Sequence, residues 1–275
     1  MLGYFDGMHV GHRALLSRAK EFAADRMPVG IMTFYDSKNG GQIYTFDERL
    51  YLFEKLGADF VFAAQFNDSF RATDGCEFLA HAAESLHVRA FVCGEDFSFG
   101  RAASCGISEL LAFCAERSIS AEVMPLVRQH GEKAASSRAK EYLASGNVSE
   151  LAELLGDKYF IRGTVSTEGR HVGRRIGFPT ANIHLSPEKY PLKAGVYAVT
   201  AELGGKLYRG IANYGSRPTF GDGCIVLEVY ADGFAGDLYG QTVTIWFDSF
   251  IREIRKFGSA EELSEQLKKD LENIR

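Results

Sequence analysis

The sequence predicts an α/β domain with a parallel, doubly wound sheet, followed by a small antiparallel β-barrel with a C-terminal helix. In its first half, the chain alternates short apolar runs with amphipathic segments at helical spacing, which is typical of parallel sheets. After Gly156 it carries short β-forming runs separated by Gly, Pro, Asn and Asp, which is typical of small antiparallel barrels. At 275 residues, the chain is long enough for two cores.

The strands of the first half are predicted from apolar runs bounded by turn residues. They span 29–34, 60–64, 89–93 and 121–125. Helices are predicted between them, because capping sequences begin at Thr45 and Asp74 and apolar residues recur at helical spacing. The first apolar stripe consists of Leu15, Leu16, Ala19, Phe22 and Ala23.

The second half follows a different pattern. Its β-rich runs span 160–165, 195–203, 206–214, 225–230 and 243–247. A final helix is predicted from the capping box that begins at Ser259, and its apolar stripe consists of Leu263, Leu267, Leu271 and Ile274. We place the domain boundary near Asp157, which gives domains 1–157 and 158–275.

Composition excludes several classes of function. A net charge of -5 argues against non-specific binding to nucleic acid, and no apolar run approaches the ~20 residues of a membrane span. The first residues do not have the pattern of a signal peptide. The five cysteines are odd in number and form no C-x-x-C pair, so neither a zinc site nor a disulfide framework is expected. A cytoplasmic protein is the expectation.

A glycine- and arginine-rich run in the second half suggests a phosphate and metal site, although the chain has no P-loop sequence. Glycine lets the backbone approach phosphate closely, and arginine offers a fixed fork of donors. Threonine and asparagine at the end of the run carry the hard oxygen ligands that Mg²⁺ prefers. A basic surface loop followed by an edge strand would show the same pattern. The candidate residues are Gly163, Gly173, Arg174, Gly177, Thr180 and Asn182.

Further polar residues follow this run. Glu228 lies in an otherwise apolar strand and shares a face with Val226. A carboxylate that faces a barrel core requires either a bonding partner or a functional role. A glutamate on the solvated face is the alternative. Asn213 begins a polar turn, and the Arg252–Glu253 pair could equally be an ordinary surface ion pair.

The motifs of the second half resemble those of the riboflavin kinases. Residues 173–182 resemble the G-R-x-x-G-F-P-T-A-N signature, and residues 213–220 resemble N-x-G-x-x-P-T-F. Glu228, the turn at 237–240, and Arg252–Glu253 with the following Lys-Phe pair come in the same order as in that family. The match covers nearly all of residues 158–275.

This resemblance implies a riboflavin kinase-like barrel that makes FMN from riboflavin and ATP. Thr180 and Asn182 would hold Mg²⁺ and the ATP phosphates, under a flap that contains the glycines and Arg174. Glu228 would be the general base for the ribityl 5′-hydroxyl. The isoalloxazine ring would bind near the C-terminal segment. The flavin-binding candidates are Asn213, Arg252 and Glu253.

The first residues of the chain carry a second candidate site. The string from Gly3 to His12 predicts a strand end, a tight turn and a helix that starts at His12. Two imidazoles beside a helix N-terminus make an anion site that can stabilise charge on an attacked α-phosphate. Such a histidine pair is more often structural when it stands alone. The candidates are Gly3, Phe5, Asp6, His9, Gly11 and His12.

The same string resembles the G-x-F-D-G-x-H-x-G-H motif of the bacterial FMN adenylyltransferase module. Residues 93–100 resemble that module's G-x-D-F-x-F-G segment, with Asp96 and Phe97 as flavin-binding candidates. The whole chain therefore resembles the bifunctional riboflavin kinase/FAD synthetases. The resemblance implies an α/β Rossmann-like nucleotidyltransferase domain that binds ATP and FMN and releases FAD and pyrophosphate. It implies no nucleic-acid or membrane partner and predicts no oligomeric state.

Three departures from the family pattern predict a weakened adenylyltransferase. Only Met1 and Leu2 precede the first glycine, so the first strand should be nearly missing. Residues 33–38 lack the prolines and histidine of T-F-x-P-H-P. Where the family has I-S-S-x-x-x-R, this chain has Ala135, Ser136 and Lys140, and lysine lacks the bidentate fork of arginine.

The first domain could act on a different small alcohol phosphate, but the flavin-like segment at residues 93–100 argues for flavin instead. Three further interpretations stay open at this point. The chain could be a bifunctional enzyme, in which Ser136 and Lys140 still hold the triphosphate. It could instead be a riboflavin kinase whose first domain is structural, or a flavin-binding protein without turnover. Thr180, Asn182 and Glu228 argue against the last, because storage of a flavin requires neither metal ligands nor a base.

Overall fold

The computed structural model describes residues 1–36, 40–166, 180–216 and 225–274. The chain divides into two compact units, Met1–Ser136 and Ser137–Arg275. Helices α6 (Ser136–Ser145) and α7 (Val148–Leu155) thus precede the barrel strands of the second unit, whereas the predicted boundary near Asp157 places them in the first domain. Among the described residues, no helix is long and apolar enough to cross a membrane, and the four cysteines are free.

The first unit alternates helices and strands, as predicted. Its α-helices are α1 (Val10–Ala23), α2 (Phe46–Lys55), α3 (Asp68–Ala72), α4 (Gly75–Ser85) and α5 (Ile107–Arg117), with a 3₁₀ turn at Arg101–Ala103. Its strands are β1 (Gly30–Phe34), β2 (Phe60–Ala64), β3 (Ala90–Gly94), β4 (Ser120–Met124) and the short hairpin β5 (Arg128–Gln129) and β6 (Glu132–Lys133). The predicted capping box at Thr45 is present, since its hydroxyl accepts from the Glu48 N–H and the Glu48 carboxylate accepts from the Thr45 N–H.

The sheet of the first unit is parallel and doubly wound. β1 pairs with β2 and β3 pairs with β4, both in parallel. Leu2 joins the two pairs, because it bridges to Met32 of β1 and its N–H donates to the Val92 carbonyl of β3 at 3.4 Å. The first strand is short, as expected, but residues 1–3 still lie at the centre of the sheet, between β1 and β3. The order across the sheet is β2, β1, residues 1–3, β3 and β4. In such sheets ligands bind beyond the carboxyl ends of the strands, where the chain order reverses.

The second unit contains a six-stranded antiparallel sheet and the C-terminal helix. Its strands are β7 (Phe160–Thr164), β8 (Ala181–His184), β9 (Gly195–Leu203), β10 (Lys206–Ser216), β11 (Ile225–Ala231) and β12 (Thr242–Arg252), and the helix is α8 (Ala260–Glu272). The spatial order is β7-β12-β9-β10-β11-β8. A bridge between Val165 and Ile183 brings the two edges together, so the predicted barrel is nearly closed.

Two details of the barrel differ from the sequence prediction. β12 continues to Arg252, five residues beyond its predicted end, because two register shifts let the strand bend and keep its pairing with β9. In β11, Leu227 and Val229 are fully buried, whereas Glu228 is half-buried on the opposite face. Glu228 therefore does not face the densest part of the barrel core.

Helix α8 packs on one face of the sheet through its predicted apolar stripe. Leu267, Leu271 and Ile274 contact a patch formed by Val196 of β9 and Ile211 of β10 together with their neighbours. Ser259 caps the helix, because its hydroxyl accepts a hydrogen bond from the Glu262 N–H.

Candidate active sites

The histidine motif forms a strained turn beyond the carboxyl end of the Met1–Gly3 segment. Phe5 and Met8 adopt left-handed backbone conformations, with φ of 54° and 43°. His9 is the N-cap of α1, which begins at Val10, so the helix starts two residues earlier than predicted and His12 lies in its first turn. Asp6 is buried, and its Oδ1 accepts a hydrogen bond from the Ile43 N–H at 2.9 Å.

A buried arginine holds this turn against β1. The Arg49 guanidinium is fully buried and donates to the carbonyl oxygens of Tyr4 and Phe34 and to the Thr33 hydroxyl, at 2.8 to 3.1 Å. Tyr4 is the second residue of the histidine motif, and Phe34 is the last residue of β1. Arg49 thus fixes the motif relative to the sheet edge, a role that no sequence pattern indicated.

The two imidazoles stack on each other in a buried setting. The ring centroids of His9 and His12 are 3.6 Å apart, and the edge of Phe5 meets the His12 ring. His9 is only 7% exposed, and burial, with a smaller contribution from the charge of Lys133, lowers its pKa to about 4. Asp96 acts in the opposite direction. His9 is therefore neutral at pH 7 and offers a ring N–H as a donor rather than a positive charge.

The hairpin β5–β6 rises beside this turn. Val127, just before β5, lies against Gly11, since a Cβ built on Gly11 would come within 3.8 Å of the Val127 side chain. The Ala134 N–H donates to the Val127 carbonyl, which closes the base of the hairpin. At its end, the Lys133 Nζ lies 2.5 Å from Oδ2 of Asp96, the residue predicted to bind flavin.

Aromatic rings line the same edge of the sheet. Phe34 at the end of β1 contacts Phe66 and Phe70, with ring centroids 5.0 Å apart in both pairs. The series continues to Phe97, which stacks on Phe99 with centroids 5.4 Å apart. Phe78 links the two groups, because its ring contacts Phe70 on one side and Phe99 on the other. Such a wall suits a planar aromatic ligand.

The barrel site centres on Glu228. The Thr180 hydroxyl donates to Oε1 of Glu228 at 2.7 Å. In the sheet register, Glu228 of β11 lies directly opposite Asn182 of β8 on one side and Asn213 of β10 on the other. Directly opposed residues of antiparallel strands share a face, so these side chains form a row across three strands. The predicted metal-binding, base and flavin-binding residues therefore meet at one place.

The row extends to the C-terminal segment. Asn213 lies opposite Val196 of β9, which in turn lies opposite Arg252 of β12. The Arg252 guanidinium forms an ion pair with Asp270 of α8, with an NH2–Oδ2 distance of 2.8 Å, and the Asp270 side chain is 1% exposed. The other predicted flavin-binding residue of this segment, Glu253, pairs with Lys193 at 2.8 Å.

The comparisons with known proteins match both halves of the chain. A family model described as FAD synthetase matches residues 1–138, and one described as riboflavin kinase matches residues 155–275. The bifunctional riboflavin kinase/FMN adenylyltransferase of Bacillus subtilis is 32% identical over 98% of this chain and 89% of its own length.

This chain belongs to the bifunctional riboflavin kinase/FMN adenylyltransferase family. The protein of that name from Haemophilus influenzae is also 32% identical, over 100% of this chain and 92% of its own. A solved structure described as a macrolide-efflux protein from Streptococcus pneumoniae is similar over the whole chain, with a TM-score of 0.86 and 31% identity, and this chain covers 92% of it. The fold predicted from the sequence, with its two dissimilar domains, is confirmed.

Four of the predicted phosphate-binding residues cannot be assigned to the barrel site from the described residues. Gly173, Arg174 and Gly177 lie outside the described residues. Gly163 lies in β7, where a Cβ would come within 2.7 Å of Ile183, so a glycine there lets β7 approach β8. The phosphate-binding role of these residues stays a prediction.

Two further candidates lie on or beside α6. Ser136 is the first residue of that helix, and the Lys140 ammonium lies 5.2 Å from the ring centre of Tyr190. A cation over an aromatic face gains a modest stabilisation there. Their predicted contact with the triphosphate stays a prediction.

Proposed function

We propose that the second unit transfers the γ-phosphate of ATP to the ribityl 5′-hydroxyl of riboflavin, with Glu228 as the general base. Membership of the family over the whole chain makes the protein a riboflavin kinase that serves FMN and FAD biosynthesis. The observation that carries the proposed site is the Thr180–Glu228 hydrogen bond at the centre of the Asn182–Glu228–Asn213 row.

The chemistry of this row suits phosphoryl transfer. Thr180 and Asn182 offer hydroxyl and amide oxygens, which fit Mg²⁺ with few protein ligands and retained water. Mg²⁺ and ATP, when bound, supply the transferred group and neutralise its charge. Glu228 accepts the proton of the attacking hydroxyl, and the Thr180 hydroxyl holds one of its carboxylate oxygens. Asn213, on the other side of Glu228, can donate to the ribityl chain and place the hydroxyl.

We propose a second activity for the first unit, the adenylylation of FMN. An oxygen of the FMN phosphate forms a bond to the α-phosphorus of ATP, and the bond from that phosphorus to pyrophosphate breaks. The neutral imidazole of His9 would donate a hydrogen bond to the α-phosphate. The aromatic wall from Phe34 to Phe97 would hold the isoalloxazine ring.

One incubation separates the three interpretations. Riboflavin, ATP and Mg²⁺ are supplied, and FMN and FAD are resolved by chromatography over time. A bifunctional enzyme makes FMN and then FAD, a kinase with a structural first unit makes FMN alone, and a non-catalytic flavin-binding protein makes neither. Chelation of Mg²⁺ with EDTA should stop FMN formation, and activity that persists would remove the metal from the proposal.

We propose a cytoplasmic location, as expected from the cysteine pattern.

A further inference from the structure

The ion pair of Lys133 and Asp96 lies at the edge of the sheet where the chain order reverses. Asp96 follows the end of β3, and Lys133 ends the hairpin that follows β4. The two strands are neighbours, and both residues lie beyond their carboxyl ends. Ligands of doubly wound sheets bind in this position.

The histidine turn faces the same place but contributes little positive charge. His9 is neutral at pH 7, and its Nδ1 is buried without a hydrogen-bond partner among the described residues. A buried ring nitrogen without a hydrogen-bond partner costs free energy unless a ligand supplies the missing hydrogen bond. The charge of Lys133 acts on this imidazole, so the ammonium lies within electrostatic range of the turn.

A nucleoside triphosphate requires positive charge at its phosphates, because phosphate oxygens are held best by charge-assisted hydrogen bonds. The family's arginine is replaced by Lys140, which lies over the Tyr190 ring in the second unit. Other cations near the turn bond to backbone carbonyls, since Arg13 donates to Met8 and Arg128 donates to Gly131. Lys133, by contrast, is held by a carboxylate whose position a phosphate oxygen can take.

We propose that Lys133 binds the pyrophosphate part of ATP in the first unit, with Asp96 holding its ammonium ready before the nucleotide arrives. Both side chains are about half-exposed, so the pair itself is weak and exchange for a phosphate is inexpensive in free energy. His9 then donates to the α-phosphate while Lys133 neutralises the leaving pyrophosphate. The proposal rests on the adenylyltransferase function proposed above.

The test compares three variants in FAD synthesis from FMN and ATP. Lys133→Met should raise the KM for ATP by about 10-fold or more, the usual effect of losing a charge-assisted hydrogen bond. Lys133→Arg should keep most of the affinity. Arg128→Met is the matched control, because it removes a positive charge from the residue opposite Lys133 in the same hairpin and should leave the KM within about twofold. Circular dichroism and thermal unfolding of the same samples report correct folding of the first unit.

A second measurement keeps the result decisive if the unmodified chain makes no FAD. Pyrophosphate is titrated into the parent, Lys133→Met and Arg128→Met by calorimetry. Binding that Lys133→Met loses and Arg128→Met keeps supports the proposal, even where the adenylyltransferase function fails. Parent-like KM for ATP, or pyrophosphate binding that does not depend on Lys133, would show an ordinary surface ion pair and overturn it.

Discussion

At the scale of single residues, the barrel site depends on the position of one carboxylate. Glu228 is half-buried, it accepts a hydrogen bond from Thr180, and it lies between two asparagines of neighbouring strands. This setting leaves the carboxylate on a face where a ligand can reach it, which a glutamate in the packed barrel core would not allow. The residue type and its two neighbours therefore fit a base rather than a structural ion.

Replacing this base should slow turnover without weakening riboflavin binding. Glu228→Gln keeps the size and the acceptor for Thr180 but cannot take a proton, so kcat for FMN formation should fall by roughly 10²–10⁴. Steady-state kinetics and a riboflavin titration measure the two effects separately. Glu202→Gln is the control, since Glu202 is six residues along β9 from Val196 and away from the row. Turnover at the parent rate in Glu228→Gln would show that another group is the base.

The ionisation of His9 predicts how stability depends on pH. Its pKa is lowered from the usual 6.5 to about 4 by burial, so the folded chain binds this proton less readily than the unfolded chain. The unfolded state therefore gains the proton first, and stability should fall as the pH drops from about 6.5 towards 4. Between pH 7 and 8 the contribution should be constant.

Thermal unfolding of the first unit from pH 4 to 8, in the parent and in His9→Gln, checks this expectation. The variant has no titrating ring, so the part of the decline that His9 causes should disappear. The sign of this effect is specific, because a histidine paired with a carboxylate would stabilise the fold at low pH instead. An identical decline in both proteins would place the pH dependence on other groups.

At the scale of elements, α8 is fastened to the end of β12 by a buried ion pair. Asp270 accepts from Nε and NH2 of Arg252, and Gln266 of the same helix donates to it at 2.6 Å. Gln266 also accepts from Arg255, which follows β12. The helix thus holds the segment that carries the predicted flavin-binding residues.

Removing one member of this pair should be more costly than removing both. Asp270→Ala leaves the Arg252 guanidinium without its carboxylate, and we expect a loss of about 3 kcal/mol in the free energy of unfolding. The double variant Arg252→Met with Asp270→Leu should recover part of that loss. Denaturant unfolding measures both, with the exposed Glu272→Gln of the same helix as the control.

The same variants test the role of Arg252 in flavin binding. If Arg252 contacts the flavin, the double variant should regain stability but keep a raised KM for riboflavin. A riboflavin KM equal to that of the parent in the double variant would leave Arg252 with a structural role alone. Equal stability of Asp270→Ala and the parent would mean that the ion pair does not fasten the helix.

At the scale of the whole molecule, two units with different architectures each carry their own candidate site. The first is a parallel sheet with helices and the second is an antiparallel barrel, and the candidate residues of each site, apart from Lys140, come from within one unit. The product of the proposed kinase is the substrate of the proposed adenylyltransferase. The two proposed activities would be consecutive steps on one chain.

The two activities should fail independently. Glu228→Gln should lose FMN formation from riboflavin yet still convert supplied FMN to FAD, and His12→Ala should do the reverse. Chromatography of flavins from the two variants, each given riboflavin or FMN, measures this. Failure of Glu228→Gln to convert supplied FMN to FAD, or failure of His12→Ala to form FMN from riboflavin, with both units folded by circular dichroism, would show that the sites are not independent.

The sequence by itself determined the order of the two architectures, most strands and helices, and the family, and it named the candidate residues of the kinase site, whose roles stay predictions. These follow from local periodicity and from residue types at fixed spacing, which depend on near neighbours in the chain. Thr180, Asn182 and Glu228 are such candidates, because the family motifs identify them in the sequence without knowledge of the register of the strands.

The tertiary structure alone decided the face on which Glu228 lies, the neutral state of His9, and the partners of Arg49, Arg252 and Lys133. The face depends on strand register, and the ionisation of His9 depends on burial by residues far along the chain. The Lys133–Asp96 and Arg252–Asp270 pairs join residues that are 37 and 18 positions apart. No local pattern encodes such contacts, because they exist only once separate strands and helices have packed together.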